Sequence, residues 1–362
     1  MGGNAIKHAK RVDKETFLKV EKDVVGKIKS ILPGSRVEPL KFFDSKESFG
    51  DLDVLVEFFA PSDLNNFFGD VSETFGYGDR VFNQDKSLYK SNGNILSFGY
   101  KINGEIFQVD LIKTQHEIFD CAFNYFAYND ISNLLGRMSK KLGFKISHKG
   151  LFFIVRDPDD NSFVREVLLT RDYFKGLQYL ALSVDKFKKG FESEEDIFKY
   201  VSSSPYFNAD IYLPRNRSNE NSFRDSKRKT YQNFLKYCEK NKEKLNKFSF
   251  GKVDDLGGYG SAGNLYTKFL EEVLFPDNPG LKEKVASFLN ENKVNKQFKK
   301  YYNGSKLIEV SGLSGKELGQ LKGKIDDIIT KEYKKEVIKK GFFDYDWALR
   351  KVGFTKEKPT QT

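Results

Sequence analysis

The stretch FGDLDVLVE, residues 49–57, sets Asp51 and Asp53 one residue apart at the head of an apolar run. In a β-strand side chains alternate between faces, so the two carboxylates point to one side, about 7 Å apart. Leu52, Val54 and Val56 then frame the buried part of the strand. Two like charges that close repel unless something positive sits between them, and a divalent cation is the usual answer. The same residues also fit a strand that leaves a turn at Gly50 with its polar side chains outward. A third acid lies further on. INGEI, residues 102–106, is a strong hairpin signal, and the apolar strand after it delivers Asp110 between Val109 and Leu111. Asp51, Asp53 and Asp110 are thus three carboxylates on two strands, with a helix and a hairpin between them in the sequence.

The surrounding elements have to position these acids. Residues 14–31 carry Phe17, Val20, Val24, Ile28 and Ile31 at helical spacing, and Pro33-Gly34 stops them. Pro61 and Ser62 suit the start of a second helix. Three β-like runs follow, DRVFNQDKSLYK, NILSFGYKI and EIFQVDLIK, with Asn-Gly signals at 92–93 and 103–104. Two helical segments between 116 and 142 part near Tyr128-Asn129-Asp130, where Asp130 is the expected N-cap. KISHKGLFFIVRD returns to β, and beyond 165 the pattern is mostly helical, interrupted by a polar, basic segment at 215–229. Residues 251–264 are glycine-rich but match neither a P-loop nor a dinucleotide fingerprint, so they read as a flexible linker, and the tail from about 355 reads as disordered.

Composition narrows the class of protein. The 362 residues suffice for two or three domains. The formal charge of +10 is uneven: residues 1–150 hold 21 basic and 20 acidic side chains, the remainder 40 and 31. A near-neutral half bearing the acids and a basic half suit a metal-binding region joined to a polyanion-binding one, although a lysine-rich solvated surface has the same count. Two distant cysteines, Cys121 and Cys238, and three scattered histidines, His8, His116 and His148, argue against zinc and disulfides and for a reducing, cytoplasmic setting. No apolar run is long enough to span a bilayer, and the first ten residues lack the apolar segment of a signal peptide.

Several motifs then line up in order. PGSRVEPLKFFDSKESFGDLDVLVE resembles the Gly-Ser … Asp-x-Asp signature of the nucleotidyltransferase superfamily, and FQVDLI its third-carboxylate strand. Within that superfamily the chain resembles family X DNA polymerases. RVDKETFLKVEKDVVGKIKSILPGS is similar to the helix that leads into Gly-Ser, and CAFNYFAYNDISNLLGRMSKKLGFKISHKGL to the segment after the third carboxylate. ESEEDIFKYVSSSPYF, residues 192–207, is similar to the family's closing motif. The resemblance covers residues 11 to about 215.

That resemblance implies two-metal phosphoryl transfer with Mg²⁺ or Mn²⁺, two ions, and nucleoside triphosphates as donors. Asp51 and Asp53 would bind both metals, and Asp110 the metal that activates the primer 3′-OH. Gly34, Ser35 and the nearby Arg36 would hold the triphosphate. Tyr125 and Phe126 would pack under the sugar, Asp130 would stack near the incoming base, Asn133 would reach its minor-groove edge, and Arg137 would touch the template strand. At helical spacing Tyr125 and Phe126 equally suit a core, and Asn133 and Arg137 an exposed helix face.

Departures from the family pattern are informative. Ser35 and Asp51 are further apart than usual, and Ala127-Tyr128-Asn129 stands where the family has Thr-Gly-Ser, which puts sugar discrimination in doubt. The family's amino-terminal lyase domain has no counterpart before residue 11, so residues 216–362 are expected to hold the nucleic acid, with Lys227, Arg228 and Lys229 on its backbone. SGLSGKELGQLKGKIDDII near the end is weakly similar to a turn in CCA-adding enzymes, and is equally a helix following a glycine turn.

The expected fold is α+β: a nucleotidyltransferase palm over residues 1–115, a nucleotide- and template-binding subdomain over 116–215, and a basic, mainly helical C-terminal domain over 216–362. The expected activity adds nucleotides to a nucleic-acid 3′-OH, on DNA in the first instance and with RNA as an alternative. The expected protein is a monomer that binds no membrane. Untemplated addition is the nearest rival, and a non-catalytic nucleic-acid-binding protein the rival of another class.

Overall fold

The computed structural model describes residues 5–59, 67–77, 88–216, 218–248 and 270–354. Its contacts divide the chain into two units, Met1–Ile154 with Glu166–Leu256, and Val155–Arg165 with Gly257–Thr362. The regions expected to be palm and nucleotide-binding subdomain therefore belong to the first unit except for Val155–Arg165, which falls in the second, and the first unit also takes in residues 218–248. The glycine-rich stretch at 251–264, most of DRVFNQDKSLYK, the expected helix start at Pro61-Ser62 and the tail from 355 lie outside the described residues.

The first unit is built on a mixed five-stranded sheet. After the short strand β1 (Val12–Asp13), helix α1 spans Lys14–Ile31, as its apolar spacing requires: Phe17, Val20, Val24 and Ile28 are its buried residues. The Asp13 carboxylate caps it by accepting from the Thr16 N–H at 2.8 Å. The chain continues through β2 (Val37–Pro39), β3 (Ser48–Phe49), β4 (Asp51–Phe58), α2 (Phe67–Thr74), β5 (Tyr89–Asn92), β6 (Ile95–Ile102) and β7 (Glu105–Gln115). The sheet order is β2-β4-β7-β6-β5, with β4 and β7 parallel and their other neighbours antiparallel. The β6–β7 hairpin turns on Asn103 and Gly104, whose φ angles of 50° and 77° are those of the type I′ turn read from the Asn-Gly pair.

Alternation along β4 sorts its residues between two cores. Leu52, Val54 and Val56 join Phe17, Val20, Val24 and Ile28 of α1 and Phe67 and Val71 of α2 on one face. Leu55 faces the other way, toward Ile112 of β7 and toward Phe119 and Ala122 of α3 (Phe119–Phe126). Asp51 and Asp53 are on that second face, in line with Leu55, at the end of the strand where it begins.

Beyond α3 lie α4 (Ile131–Lys141), β8 (Phe144–Ser147), β9 (Gly150–Arg156) and β10 (Phe163–Thr170), the last three forming a sheet in the order β10-β9-β8. Strand β10 carries the β-structure further than the sequence pattern implied: FVREVLLT is rich in β-branched and aliphatic residues and pairs beside β9. Gly150 is required there, because a Cβ at its φ of +136° would stand 2.7 Å from the Thr170 carbonyl oxygen. Helices α5 (Tyr173–Tyr179), α6 (Val184–Lys189), α7 (Glu194–Ser202), α8 (Asn219–Ser226) and α9 (Lys229–Lys240) follow. The basic segment at 215–229 is thus largely helical.

In the second unit α10 (Leu281–Phe298), α11 (Gly304–Ser311), α12 (Gly315–Ile328), α13 (Lys331–Lys340) and α14 (Tyr345–Lys351) enclose a core that includes Phe298, Tyr302, Leu307, Ile325 and Phe343. Gly312 and Gly315, at φ of +73° and +55°, make the turn between α11 and α12, so SGLSGKELGQLKGKIDDII is a helix after a glycine turn. Lys296 of α10 pairs with Asp157 at 2.8 Å and Asp160 at 2.7 Å. Among the described residues no helix is long and apolar enough to cross a membrane.

Candidate metal centre

The parallel β4–β7 ladder sets Asp53 directly beside Asp110 and Asp51 beside Gln108. One carboxylate oxygen from each of Asp51, Asp53 and Asp110 lies within 4.8 Å of the others, all three residues being half-buried. Among the described residues this is the single group of three or more histidine, cysteine, aspartate or glutamate side chains with such spacing. Two residues of separation on one strand and a register match on the next suffice to bring them together.

The acids press on one another. Asp53 is pushed up to about 8, first by burial and then by the charges of Asp51 and Asp110. Asp110 is also raised by burial, with Asp51 adding to it, while hydrogen bonds from Ser97 and Gln108 pull the other way. Ser97 is its cross-strand partner on β6, and Gln108 donates from Nε2 to both Asp110 oxygens at 3.0 Å. A hard divalent cation suits this all-oxygen set, since it would relieve both the repulsion and the desolvation.

Lys46 is a residue the sequence pattern did not single out. Its ammonium is pushed down by burial, and the charges of Asp51 and Asp53 oppose that shift. It donates to Asn129 Oδ1 at 3.1 Å and lies 4.7 Å from the centre of the Phe49 ring. The loop that carries it is fastened by the Asp44 and Ser45 N–H groups, which donate to Phe191 and Glu192 carbonyls at 3.0 and 2.8 Å. The signal was present: a lysine five residues ahead of the first acid, within the longer Ser35–Asp51 interval.

Gly34, Ser35 and Arg36 do not come to the acids. Strand β2 runs antiparallel to β4, so Arg36 lies beside Glu57, where its N–H meets Glu57 Oε2 at 3.0 Å and its carbonyl accepts from the Glu57 N–H at 2.9 Å. At about 3.3 Å per residue that is roughly 13 Å along the strand from Asp53. The Arg36 guanidinium reaches Asp120 at 2.8 Å and covers the Phe119 ring at 4.1 Å. Gly34, at φ of +88°, serves the turn out of α1. Buried Glu57 also meets His116 Nδ1 at 2.8 Å, which accounts for two residues given no role by sequence.

The helix-borne residues form a second cluster. Tyr125 and Phe126 end α3, with His148 stacked on Phe126 at 5.5 Å. The turn after them is made without glycine: Tyr128 and Asn129 both take positive φ, 56° and 59°. A left-handed tyrosine is strained, and the buried Tyr128 ring, edge-on to Phe187 and Phe191, holds it there. Asp130 is the N-cap residue of α4, as expected, but its side chain makes no capping bond, because its carboxylate takes the Arg228 guanidinium at 2.5 Å. Asn133 Oδ1 is 3.5 Å from Arg224, and its buried Nδ2 has no acceptor among the described residues.

Of the other expected nucleic-acid contacts, Arg137 and Arg228 are engaged within the fold, while Lys227 and Lys229 are exposed. Arg137 donates from Nε to the Ile211 carbonyl at 2.7 Å and from Nη2 to the Asn216 carbonyl. Arg228 turns inward to Asp130, and Lys227 lies 3.8 Å from the centre of the Phe223 ring, while Lys229 is exposed at the start of α9. Cys121 and Cys238 are both free and buried, their thiols pushed up to about 12 by burial.

A scan of the chain against protein-family models finds no match, and neither does a search of the curated proteins.

Proposed function

We propose that the chain is a metal-dependent nucleotidyltransferase that joins a nucleotide from a nucleoside triphosphate to a nucleic-acid 3′-OH. The observation that carries this reading is the convergence of Asp51, Asp53 and Asp110 within 4.8 Å across a parallel strand pair. The ordered motifs that resemble family X polymerases point the same way. Bound at the three carboxylates, two Mg²⁺ or Mn²⁺ ions would supply Lewis-acid activation of the hydroxyl and neutralise the triphosphate.

The chain's own residues would do the rest by position. By the resemblance Asp51 and Asp53 would face the triphosphate, and Asp110, hydrogen-bonded by Ser97 and Gln108, would face the attacking oxygen. Lys46, whose charge is felt by both Asp51 and Asp53, takes the phosphate-facing place that Arg36 does not reach. The 3′-hydroxyl gives up its proton to water as its oxygen attacks the α-phosphorus, the bond from that phosphorus to the oxygen bridging to the β-phosphate breaks, and pyrophosphate leaves. By the resemblance Tyr125 and Asn133 would lie on the side of the sugar and base; Asn133 Nδ2, buried and without an acceptor among the described residues, would have to turn outward to reach a base-edge acceptor.

Untemplated addition is a second reading, and one observation favours it. Arg137, the residue the resemblance assigns to the template, has its guanidinium on the Ile211 and Asn216 carbonyls. Incubation with Mg²⁺ or Mn²⁺, each labelled NTP and dNTP, and a panel of DNA and RNA primers with and without template tests both readings. Extension by the wild type and none by Asp110→Asn supports transfer. Equal use of all four nucleotides whatever the template base supports the untemplated form, and no extension on any primer removes the proposal in favour of a non-catalytic nucleic-acid-binding protein.

A further inference from the structure

Asp110 is held by more than its own strand. Gln108, two residues earlier on β7 and so on the same face, is 2 % exposed and donates to both Asp110 oxygens at 3.0 Å. Its Oε1 accepts from the backbone N–H groups of Ala5 and Ile6 at 2.9 and 3.1 Å. Those two donors fix which end of the amide is oxygen, and the other end is thereby presented to the carboxylate.

The segment carrying these N–H groups is anchored on its own account. The Ile6 side chain is 2 % exposed, and the Lys10 N–H donates to the Ile106 carbonyl at 2.8 Å. Ile6 is seated over Gly99, the cross-strand partner of Gln108 on β6. A Cβ at position 99 would stand 2.6 Å from an Ile106 methyl and 3.3 Å from an Ile6 methyl, so a side chain there would displace this packing. Glycine inside a strand marks a close approach of this kind.

We propose that residues 5–10 form a strap whose backbone amides, relayed through Gln108, orient the Asp110 carboxylate, making Gln108 a positioning residue of the transfer reaction. The proposal rests on the metal-dependent reading of the site. Only a primary amide does both jobs: it accepts from two backbone donors and donates to a carboxylate. Glutamate would place a like charge against Asp110, and methionine would leave the Ala5 and Ile6 amides unsatisfied and the carboxylate with the Ser97 hydrogen bond but without the Gln108 amide. Groups that orient a metal ligand from behind typically change metal affinity about 10- to 100-fold when removed.

Gln108→Met should therefore weaken Mn²⁺ binding, measured with the metal alone by electron paramagnetic resonance, by about 10- to 100-fold. It should lower kcat while nucleotide KM changes little. Ala5→Pro, which deletes one of the two N–H donors and leaves Gln108 in place, should shift affinity in the same direction by a smaller factor. In the metal-free protein, melting-temperature shifts of Gln108→Met and Asp110→Asn should be non-additive, because each removes one end of the same contact. Additive shifts together with unchanged Mn²⁺ affinity in Gln108→Met would overturn the strap. Non-additive shifts in a wild type that binds no Mn²⁺ would keep the strap and remove the metal reading instead.

Discussion

Asp53 and Asp130 are both acids that the sequence assigns to one site, yet their surroundings are opposite. Asp53 lies in β4 with Asp51 on the same face and Asp110 alongside on β7, and its carboxyl is pushed up to about 8. Asp130 lies at the start of α4 and meets the Arg228 guanidinium at 2.5 Å, both side chains being 19 % exposed. A parallel ladder fixes the Cβ positions of neighbouring residues, so acids placed in register cannot retreat from one another. A helix terminus facing a second helix can be met by a long, pivoting cation. The strand-borne cluster therefore retains a demand for positive charge that a ligand can meet, whereas the helix-borne cluster has satisfied most of its charge within the fold.

The largest effect should come from removing charge on the strands. Asp53→Asn or Asp110→Asn should lower single-nucleotide transfer by on the order of 10³-fold or more, about 4 kcal/mol of transition-state stabilisation. The metal-free protein should at the same time be no less stable at pH 8, since Asp53→Asn removes a repelling charge. A variant that keeps full activity would dissolve the contrast between the two clusters.

The same acids impose a pH dependence of definite sign. The folded protein holds a proton on Asp53 more tightly than the unfolded chain does, so this group contributes stability at low pH. That contribution is lost as pH rises from the unfolded value near 4 toward about 8. In the absence of metal, chemical denaturation of wild type and Asp53→Asn should show wild type losing stability relative to the variant across that window. Saturating Mg²⁺ should reverse the trend at pH 8. A difference between the two proteins that stays flat with pH would mean that the fold does not raise the Asp53 carboxyl.

Breaking the helix-borne pair should cost stability rather than chemistry. Arg228→Ala leaves the Asp130 carboxylate without its charged partner and should destabilise the first unit by about 1.5–3 kcal/mol, read from urea unfolding. Asp130→Asn combined with Arg228→Gln should recover part of it. Arg137→Ala removes two bonds to the Ile211 and Asn216 carbonyls and should cost about 1–2 kcal/mol. Selection of the correct nucleotide should be unchanged by that substitution, where a template contact would have lowered it.

How legible each feature was in the sequence tracks how local the determining physics is. The period-2 placement of Asp51 and Asp53, the stripe of α1 and the Asn103-Gly104 turn are properties of neighbouring residues, and each is found as read. The third acid was legible because a hairpin turn fixes the register of its second strand, and with it the face that Asp110 occupies. The motif gives the order of Gly34, Ser35 and Arg36 but not the β2–β4 register, which sets Arg36 beside Glu57. Asp130 is the N-cap residue that its local sequence indicates, but its carboxylate makes no capping bond because a distant arginine takes it, which local sequence does not show. Arg228 was read as a contact to the nucleic-acid backbone from its basic neighbours, which do not show that it turns inward to Asp130. Lys46 and Gln108 acquire their meaning only from neighbours far along the chain, at Asn129 and at Ala5 and Ile6.

The most direct test of a metal-dependent site is a Mn²⁺ titration of the metal-free protein, read by electron paramagnetic resonance, with and without a non-hydrolysable nucleoside triphosphate. Wild type is predicted to bind Mn²⁺ at the carboxylates alone and to bind two ions per chain once the nucleotide is present, with Asp53→Asn losing both. A wild type that binds Mn²⁺ no better than Asp53→Asn, with or without nucleotide, would contradict the claim that Asp51, Asp53 and Asp110 form a metal-dependent transfer site.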